Sequence, residues 1–487
     1  MRCTVCLALF TAVMVSACSR STPEQQTVND AAAALGGASR IQSVKTVVIE
    51  GEGSQGNLGQ DMTPEATEQT FTVSAYRRAI DVAGGRARTE LTRAPNFQYF
   101  AGQMPQKLVQ GVDGDVGYNV AANGTATRTP TLTAADRRIE IYHHPITSVR
   151  AALEPGSTVS NPRSEDGQSL VDVRTANGVM FTLAVEPGTK LPARVISTAD
   201  NTNLGDVIVE TSFAEYQDVG GLQLPTRITT TTDDVTTAEV RVTKQVVDGE
   251  AGDLAAPSAA ASAAATAGPP PATVTVEELA PRVWYLAGQS HHSVLVEFDD
   301  HLTLIEAPQN DTRALAVIAK ARELRPNKPL TQLVVSHHHF DHSGGVRAAM
   351  AEGLTVIAHE NAAEYLEEAG KRPHTVVPDA LAKSPKSVNV EGVDGERVLM
   401  DKTMTVNLYA IDGSPHSDSM LVAYFPRERL LVEADVFTPG AAVAPYAPNL
   451  LENIRKRNLR VDRIVPLHGK VVPFSELVKV VPTAGTN

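Results

Sequence analysis

One histidine-rich segment, residues 336–342 (SHHHFDH), carries the residue types that most directly suggest chemistry. Neutral imidazole nitrogens and carboxylate oxygens are ligands that zinc accepts. A His-x-His-x-acid-His pattern arises by chance in about one chain in a thousand of this length and composition. All three cysteines lie within the first eighteen residues, so the rest of the chain offers no thiolate ligand. The sequence therefore predicts a metal site built from imidazole and carboxylate.

The elements around this segment are suited to bring such ligands together. An apolar strand pattern over residues 332–335 precedes it, and a predicted helix over residues 345–351 follows it. Side chains on a turn of this kind fan out from one end of a sheet. Eleven of the 13 histidines follow residue 272, and only His143 and His144 precede it, so the predicted chemistry belongs to the C-terminal part of the chain.

The segment resembles the His-x-His-x-Asp-His signature of the metallo-β-lactamase superfamily, and the other signatures of that family follow in order. They are GSPH ending at His416, EAD ending at Asp435 and PLH ending at His468. By this resemblance, one metal ion is held by His337, His339 and His416, the other by Asp341, His342 and His468, and Asp435 bridges the two. The resemblance implies two zinc ions, or another divalent metal, in an αββα sandwich over residues 273–487.

Two dications that share a water lower its pKa from about 15.7 to about 7, which provides a nucleophile at neutral pH. Asp341 and His342 are the candidate catalytic residues, and Asp341 would hold the nucleophile or pass a proton to the leaving group. Glu306 replaces the family's usual aspartate after the third strand, and we expect it to support a ligand rather than to bind metal. His291 and His292 are candidate substrate-binding residues, and the alternative is that they lie in a solvated loop.

The family resemblance leaves several reactions open, because this scaffold hosts many chemistries. Hydrolysis of an ester, thioester, lactone or amide fits the ligand set. Phosphodiester or β-lactam hydrolysis at the same site, and iron-dependent sulfur dioxygenation, are the alternatives. Asp435 stands where the best-known zinc β-lactamases have a cysteine ligand, which argues against that subgroup.

The N-terminus predicts a lipoprotein. Residues 1–18 are typical of a signal peptide and end in a lipobox-like VSAC. Cys18 is therefore the expected lipidation site. Residues 19–27 are expected to form a polar tether. Ser19 after the cysteine indicates a periplasm-facing protein of the bacterial cell envelope, anchored in the outer membrane. The alternative is ordinary secretory cleavage. The expected partners are the membrane, through this anchor, and a small-molecule substrate, whereas a partner protein is not identified.

Charge and composition limit the remaining possibilities. The net charge of −13, with lysine and arginine scattered along the chain, disfavours a nucleic-acid partner. Residues 28–248 show β-branched, partly alternating segments separated by glycine turns, which predicts a mainly antiparallel β domain with helices over 30–35 and near 147–153. After it, residues 249–272 are rich in alanine, serine and proline, which predicts a flexible linker.

The two folded parts follow different patterns. In residues 273–487 strand pairs alternate with helices, which predicts an α/β fold of two sheets between helical layers. The end of the first domain, around residues 216–229, resembles the closing strands of LolA/LolB-like lipoprotein carriers. This resemblance implies a lipid- or partner-binding module, and the alternative is a stalk or docking domain.

Overall fold

The computed structural model describes residues 21–97, 105–440 and 446–481. The predicted signal peptide and the lipidation site Cys18 lie outside these residues, so both stay predictions. In the described parts of the chain, no helix has the length and apolar character needed to cross a membrane.

A single sheet of 13 strands, all antiparallel, makes up most of the N-terminal region. Its strands are β1 (Thr46–Gly56), β2 (Thr70–Asp81), β3 (Arg86–Pro95), β4 (Gln106–Asp113), β5 (Val116–Val120), β6 (Ala126–Arg128), β7 (Thr158–Glu165), β8 (Gln168–Arg174), β9 (Met180–Val185), β10 (Pro192–Asn201), β11 (Gly205–Val219), β12 (Leu222–Thr232) and β13 (Val235–Val247). The order runs from β6 to β1 and continues from β13 to β7. The prediction of a mainly antiparallel β domain is confirmed.

Helices cover part of this sheet. They are α1 (Pro23–Leu35), α2 (Ala38–Ser43), α3 (Thr131–Glu140), α4 (Pro145–Leu153) and α5 (Ser258–Ser262). Leu35, Ile41 and Ile146, from α1, α2 and α4, are fully buried in one cluster with strand residues that include Val47 and Leu183. Burial of these apolar side chains is what holds the helices on the sheet.

The polar tether expected over residues 19–27 differs in the structure, because α1 begins at Pro23. Proline suits the first helical position, where its missing N–H costs no hydrogen bond. The backbone N–H of Thr22 donates to the side chain of Gln25 at 3.3 Å. Val28 and Leu35 face the sheet and are buried, so the helix is fixed by its apolar face as well as by its start.

The flexible linker expected over residues 249–272 is also different, because part of it packs on the first domain. Leu254 is buried against Val48 and Ala79, and Ala260 in α5 is fully buried. The Arg77 guanidinium donates to the carbonyl of Ala251 at 2.9 Å. Small side chains allow a chain to approach a sheet closely, so an alanine-rich composition did not by itself mean mobility here.

Two further sheets form the C-terminal region. The first contains β14 (Thr275–Ala280), β15 (Val283–Ala287), β16 (Ser293–Glu297), β17 (Leu302–Ile305), β18 (Leu330–Val334), β19 (Thr355–His359) and β20 (Val390–Val393), in that order. The second contains β21 (Glu396–Met400), β22 (Thr405–Ala410), β23 (Leu421–Phe425), β24 (Leu430–Glu433), β25 (Arg463–Pro466) and β26 (Val472–Pro473). Strands β17 to β20 are parallel, as are β24 and β25, and the other neighbouring pairs are antiparallel.

These sheets stack face to face with helices outside. The helices are α6 (Asp311–Leu324), α7 (Phe340–Ser343), α8 (Val346–Ala351), α9 (Glu360–Lys371), α10 (Ala380–Lys383), α11 (Ala447–Lys456) and α12 (Phe474–Val480). One apolar cluster lies between the first sheet and α6, α8 and α9, a second lies between the sheets, and a third lies between the second sheet and α11 and α12. The predicted αββα sandwich is confirmed.

The two regions contact each other directly. Arg372, after α9, pairs with Asp233 at 2.6 Å and also donates to the carbonyl of Leu204. The carboxylate of Asp206 accepts hydrogen bonds from the backbone N–H of Thr375 at 2.8 and 3.0 Å. Turns of the N-terminal sheet therefore rest on the segment that follows α9, and the N-terminal domain is held against the C-terminal one.

Candidate metal centre

The direction of the strands explains why distant residues meet. β17 and β18 run parallel, so Glu306 and His337 follow them at the same edge of the first sheet. β24 and β25 also run parallel, so Asp435 and His468 follow them at one edge of the second sheet. His416 lies in the connection from β22 to β23, which is at that same edge, because β23 is antiparallel to β24.

Eight side chains form two groups of four. Within each group, the potential ligand atoms lie within 4.8 Å of one another. One group contains His337, His339, His416 and Asp435, and the other contains His291, Asp341, His342 and His468. The seven ligands expected from the sequence are thus brought together at one place. His291 joins them in the second group.

Asp435 lies between the two groups. Its Oδ2 is 3.2 Å from Nε2 of His416 and 3.1 Å from Nε2 of His342. Its Oδ1 is 2.9 Å from Nε2 of His468. The backbone of Asp435 has a φ of +59°, in the left-handed region that non-glycine residues rarely adopt. The strained backbone of Asp435 places its carboxylate next to ligands of both groups. A residue that bridges two metal ions is expected to lie in such a position.

The residues fit a pair of metal ions. His337 and His339 are buried, and burial lowers the pKa of each well below its ordinary value, so both imidazoles are neutral and have a lone pair to offer. Among the described residues, Nδ1 of His339 has no hydrogen-bond partner although it is buried. A buried polar atom that faces a cluster of imidazoles and carboxylates is typical of a metal ligand.

Glu306 is fully buried and supports the candidate ligand His342 through a hydrogen bond. Its Oε2 accepts hydrogen bonds from Nδ1 of His342 at 2.9 Å and from the Ser336 hydroxyl at 2.7 Å, while Oε1 accepts from the backbone N–H of Ser336 at 3.1 Å. Nδ1 of His342 therefore carries a proton, and Nε2 faces Asp435. The structure places Glu306 where a carboxylate that supports a ligand would lie.

Asp341 reaches the second group from α7. Its Oδ2 lies 2.9 Å from Nε2 of His291, and its Oδ1 accepts from the Gln60 amide at 2.7 Å. Burial acts to raise the pKa of Asp341, but His342 and the hydrogen bonds from His291 and Gln60 outweigh it and hold the pKa below its usual range. Asp341 is therefore ionised near neutral pH.

The neighbouring His291 and His292 take different places. The ring of His291 is buried, and its centroid lies 4.0 Å from that of His468. The ring of His292 instead packs on Tyr285, and its Nδ1 accepts from the backbone N–H of Gly288 at 3.2 Å. Only His291 of the two candidate substrate-binding residues therefore belongs to the two groups of possible ligands.

Two residues of the centre come from the N-terminal domain, and sequence reasoning missed both. The loop between β1 and β2 brings Gln60 to Asp341, and it brings the backbone carbonyl of Asp61 to Nε2 of His339 at 2.8 Å. A backbone carbonyl carries no side-chain signature, so only the neighbouring Gly59 could have drawn attention to this loop.

Comparison with known families agrees with this geometry. Residues 287–468 match the model of the Metallo-beta-lactamase superfamily. Residues 287–468 are therefore a metallo-beta-lactamase superfamily domain, and a large antiparallel sheet precedes it in the chain. The LolA/LolB-like interpretation of that sheet stays a prediction.

Individual relatives are distant. The 2,4-dinitroanisole O-demethylase subunit alpha of Nocardioides sp. (strain JS1661) is 22% identical over 167 residues, which are 34% of this chain and 47% of that protein. The chain thus spans about half the length of this curated relative. The solved metallo-beta-lactamase of Pontibacter korlensis is 17% identical, with 42% of this chain and 96% of that chain covered and a TM-score of 0.34. The sec-alkylsulfatase Pisa1 of Pseudomonas sp. is 20% identical, with 42% and 40% covered and a TM-score of 0.32.

Proposed function

We propose that this protein is a dinuclear zinc hydrolase that cleaves an ester, thioester, lactone or amide bond of a small molecule. The observation that carries the proposal is the position of Asp435, whose two carboxylate oxygens lie 2.9 to 3.2 Å from imidazoles of both ligand groups. A carboxylate shared in this way suits a pair of adjacent cations better than a single one.

The described side chains would divide the two ions between them. His337, His339 and His416 would hold one ion, Asp341, His342 and His468 would hold the other, and Asp435 would contact both. When bound, the ions would supply Lewis-acid chemistry, because they polarise a carbonyl oxygen and make water acidic enough to attack near neutral pH.

The protein's own groups hold and move the protons. Glu306 accepts a hydrogen bond from Nδ1 of His342, so Nε2 is the atom that His342 would offer to a metal ion. Asp341, ionised and hydrogen-bonded to His291, would orient the attacking water, accept a proton from it and pass that proton to the leaving group. This division of labour requires no serine or cysteine nucleophile.

The ligand set narrows the substrate class only partly. Asp435 in place of a cysteine ligand argues against a dedicated β-lactamase, and the acidic chain argues against nucleic-acid phosphodiesters. Because the curated relative is named an O-demethylase subunit, an aryl methyl ether is also worth testing.

The decisive experiment uses the mature full chain. Metals are counted per chain, and activity is measured on ester, thioester, lactone, amide, β-lactam, phosphodiester and aryl ether substrates. Two zinc ions per chain with hydrolysis of one of the first four classes support the proposal. A single iron with oxygen consumption, or no bound metal, would contradict it.

We also propose that the enzyme is tethered through lipid on Cys18 to the periplasmic face of the outer membrane. Stable anchoring takes two or more acyl chains, which bacterial lipidation of an N-terminal cysteine supplies. Cys18→Ala should move the protein from the outer-membrane fraction to another fraction and abolish labelling with a fatty acid. Unchanged labelling of this variant would refute the anchor.

A further inference from the structure

The loop of residues 57–69, between β1 and β2, leaves the N-terminal sheet and reaches the metal centre. The backbone N–H of Phe340, next to the ligand His339, donates to the carbonyl of Gly59 at 3.1 Å. The backbone N–H of Asp418, two residues after His416, donates to the carbonyl of Met62 at 2.9 Å. The loop thus bonds to the backbone beside two of the candidate ligands.

The loop also fixes the tautomer of one ligand. The carbonyl oxygen of Asp61 lies 2.8 Å from Nε2 of His339. Since a carbonyl can only accept, the proton of His339 is on Nε2, and the buried Nδ1 is left with its lone pair. Ligating histidines almost always give their other N–H to such a partner, which sets the orientation and basicity of the ring.

His339 differs in this respect from other histidines of the centre. Nδ1 of His342 donates to Glu306 at 2.9 Å, and Nδ1 of His468 donates to the carbonyl of Ser290 at 3.0 Å. Both acceptors lie within the C-terminal domain. For His339 the same support comes from the N-terminal domain. The C-terminal domain therefore does not supply the whole set of hydrogen bonds that orients its own ligands.

The loop is built to hold this carbonyl in place. Asp61 as a residue is 4% exposed, and its Oδ1 accepts from the backbone N–H groups of Glu68 at 3.0 Å and Gln69 at 2.8 Å. Gly59 has a φ of +74°, and a Cβ there would overlap the ring of Phe340. Close approach of the two backbones therefore requires glycine.

A second residue of the loop contacts a second ligand. The side-chain amide of Gln60 donates to Oδ1 of Asp341 at 2.7 Å, while Oδ2 of the same carboxylate lies 2.9 Å from His291. Both oxygens of Asp341 are thereby held from outside α7, one by each domain.

We propose that Asp61 and Gln60 are positioning residues of the metal centre, which makes the N-terminal domain a part of the hydrolase rather than a stalk. Asp61 sets the orientation of His339 through its carbonyl, and Gln60 sets that of Asp341. This inference rests on the proposed metallo-hydrolase function, because it assigns the two residues to the ligands of that site.

The test compares variants of the mature full chain. Asp61→Ala removes the acceptor that folds the loop, whereas Asp61→Asn keeps it. Gln60→Ala removes the amide at Asp341, and Thr67→Ala changes an exposed residue of the same loop as a matched control. For each variant, zinc affinity is measured by competition with a chelator, kcat and KM are measured separately, and the unfolding temperature is recorded.

Asp61→Ala is expected to lower zinc affinity about 10- to 100-fold, with Asp61→Asn and Thr67→Ala close to the wild type. Gln60→Ala is expected to lower kcat about tenfold with little change in KM. Unchanged zinc affinity in a folded Asp61→Ala variant would overturn the inference. Higher activity in Gln60→Ala would overturn it as well, because the loop would then be a cover that obstructs the site. A wild-type chain that binds no zinc would instead refute the proposed function itself.

Discussion

The carbonyl oxygen of Asp61 lies 2.8 Å from Nε2 of His339, although 278 residues separate the two in sequence. This contact joins a strand connection of the N-terminal sheet to a candidate ligand in the αββα domain. A fragment that begins at residue 273 would contain all seven expected ligands but would lack this support. Activity measurements on the full chain are therefore the relevant ones.

Replacement of a candidate ligand should nearly abolish turnover. We expect Asp435→Ala and His339→Ala each to lower kcat/KM by at least about 100-fold and to lower the number of bound metal ions, because each removes a donor that no neighbour can replace. The measurements are metal content and hydrolysis rate, with circular dichroism to verify folding. Asp412→Asn, at a partly exposed aspartate paired with Lys456, serves as the control. Full activity in either ligand variant would rule out the assignment.

Glu306→Gln tests whether the hydrogen bond from His342 to Glu306 supports metal binding. The amide retains one acceptor, but its NH2 group would face either His342 or Ser336, both of which now donate to Glu306. We expect affinity for one of the two metal ions to fall about 10- to 100-fold, while the other ion is retained. Stepwise titration with a chelator resolves the two affinities. Equal loss of both ions would contradict a role confined to His342.

His291→Ala distinguishes a substrate contact from a ligand. Asp341, His342, His468 and the shared Asp435 already supply four donors, so we expect the variant to keep two metal ions per chain. Because His291 lies 2.9 Å from the candidate proton carrier Asp341, its loss should raise KM or lower kcat about tenfold or more. His292→Ala, whose ring packs on Tyr285 instead, is the matched comparison. Loss of one metal ion in His291→Ala would make it a ligand.

Removal of the metal should destabilise the fold. The centre brings two carboxylates and several buried imidazoles together, and ions that bind only the folded chain stabilise it by RT ln(1 + [L]/Kd). With zinc at 100 to 1,000 times Kd, this amounts to about 3 to 4 kcal/mol. A chelator should therefore lower the unfolding temperature, and added zinc should restore it. The Asp435→Ala variant should show a much smaller response, and an equal response in both would mean that zinc acts elsewhere.

Two acidic residues of the N-terminal domain should make its stability pH-dependent. Burial, together with Glu140 and Asp200, raises the pKa of Asp136 to about 6, and burial, together with Asp206 and Asp379, raises the pKa of Asp200 to about 6. The folded chain then binds more protons than the unfolded one between about pH 4 and pH 6. Their stabilising contribution is complete below the unfolded pKa of 3.8 and is lost as the pH rises through 6.

Asp200→Asn should accordingly raise the unfolding temperature at pH 7.5 and leave it nearly unchanged at pH 4. Since the side chain is only partly buried, we expect a gain of about 1 kcal/mol or less at pH 7.5. Differential scanning calorimetry across this range measures the effect, with Asp234→Asn at an exposed turn as the control. A gain that is the same at both pH values would show that charge is not its cause.

Much of the C-terminal domain could be predicted from the sequence because its signals are local. The strand over 332–335 and the ligands that follow it are close neighbours in the chain, so their spacing reports their geometry. The sequence was less informative where packing between distant segments determines whether a segment is ordered. Residues 23–27 are helical because they begin α1, whose later residues Val28 and Leu35 are buried, and Ala260 in the alanine-rich segment is buried as well.

The candidate ligands, and most of the strands and helices beside them, could be predicted from the sequence alone. Only the tertiary structure decided that Asp435 faces both groups, that His291 turns inward while His292 does not, and that the loop of residues 57–69 supports His339. The physical reason is that residue type and spacing act over a few residues along the chain. A hydrogen bond between a backbone carbonyl and an imidazole in another domain exists only once both domains have packed together.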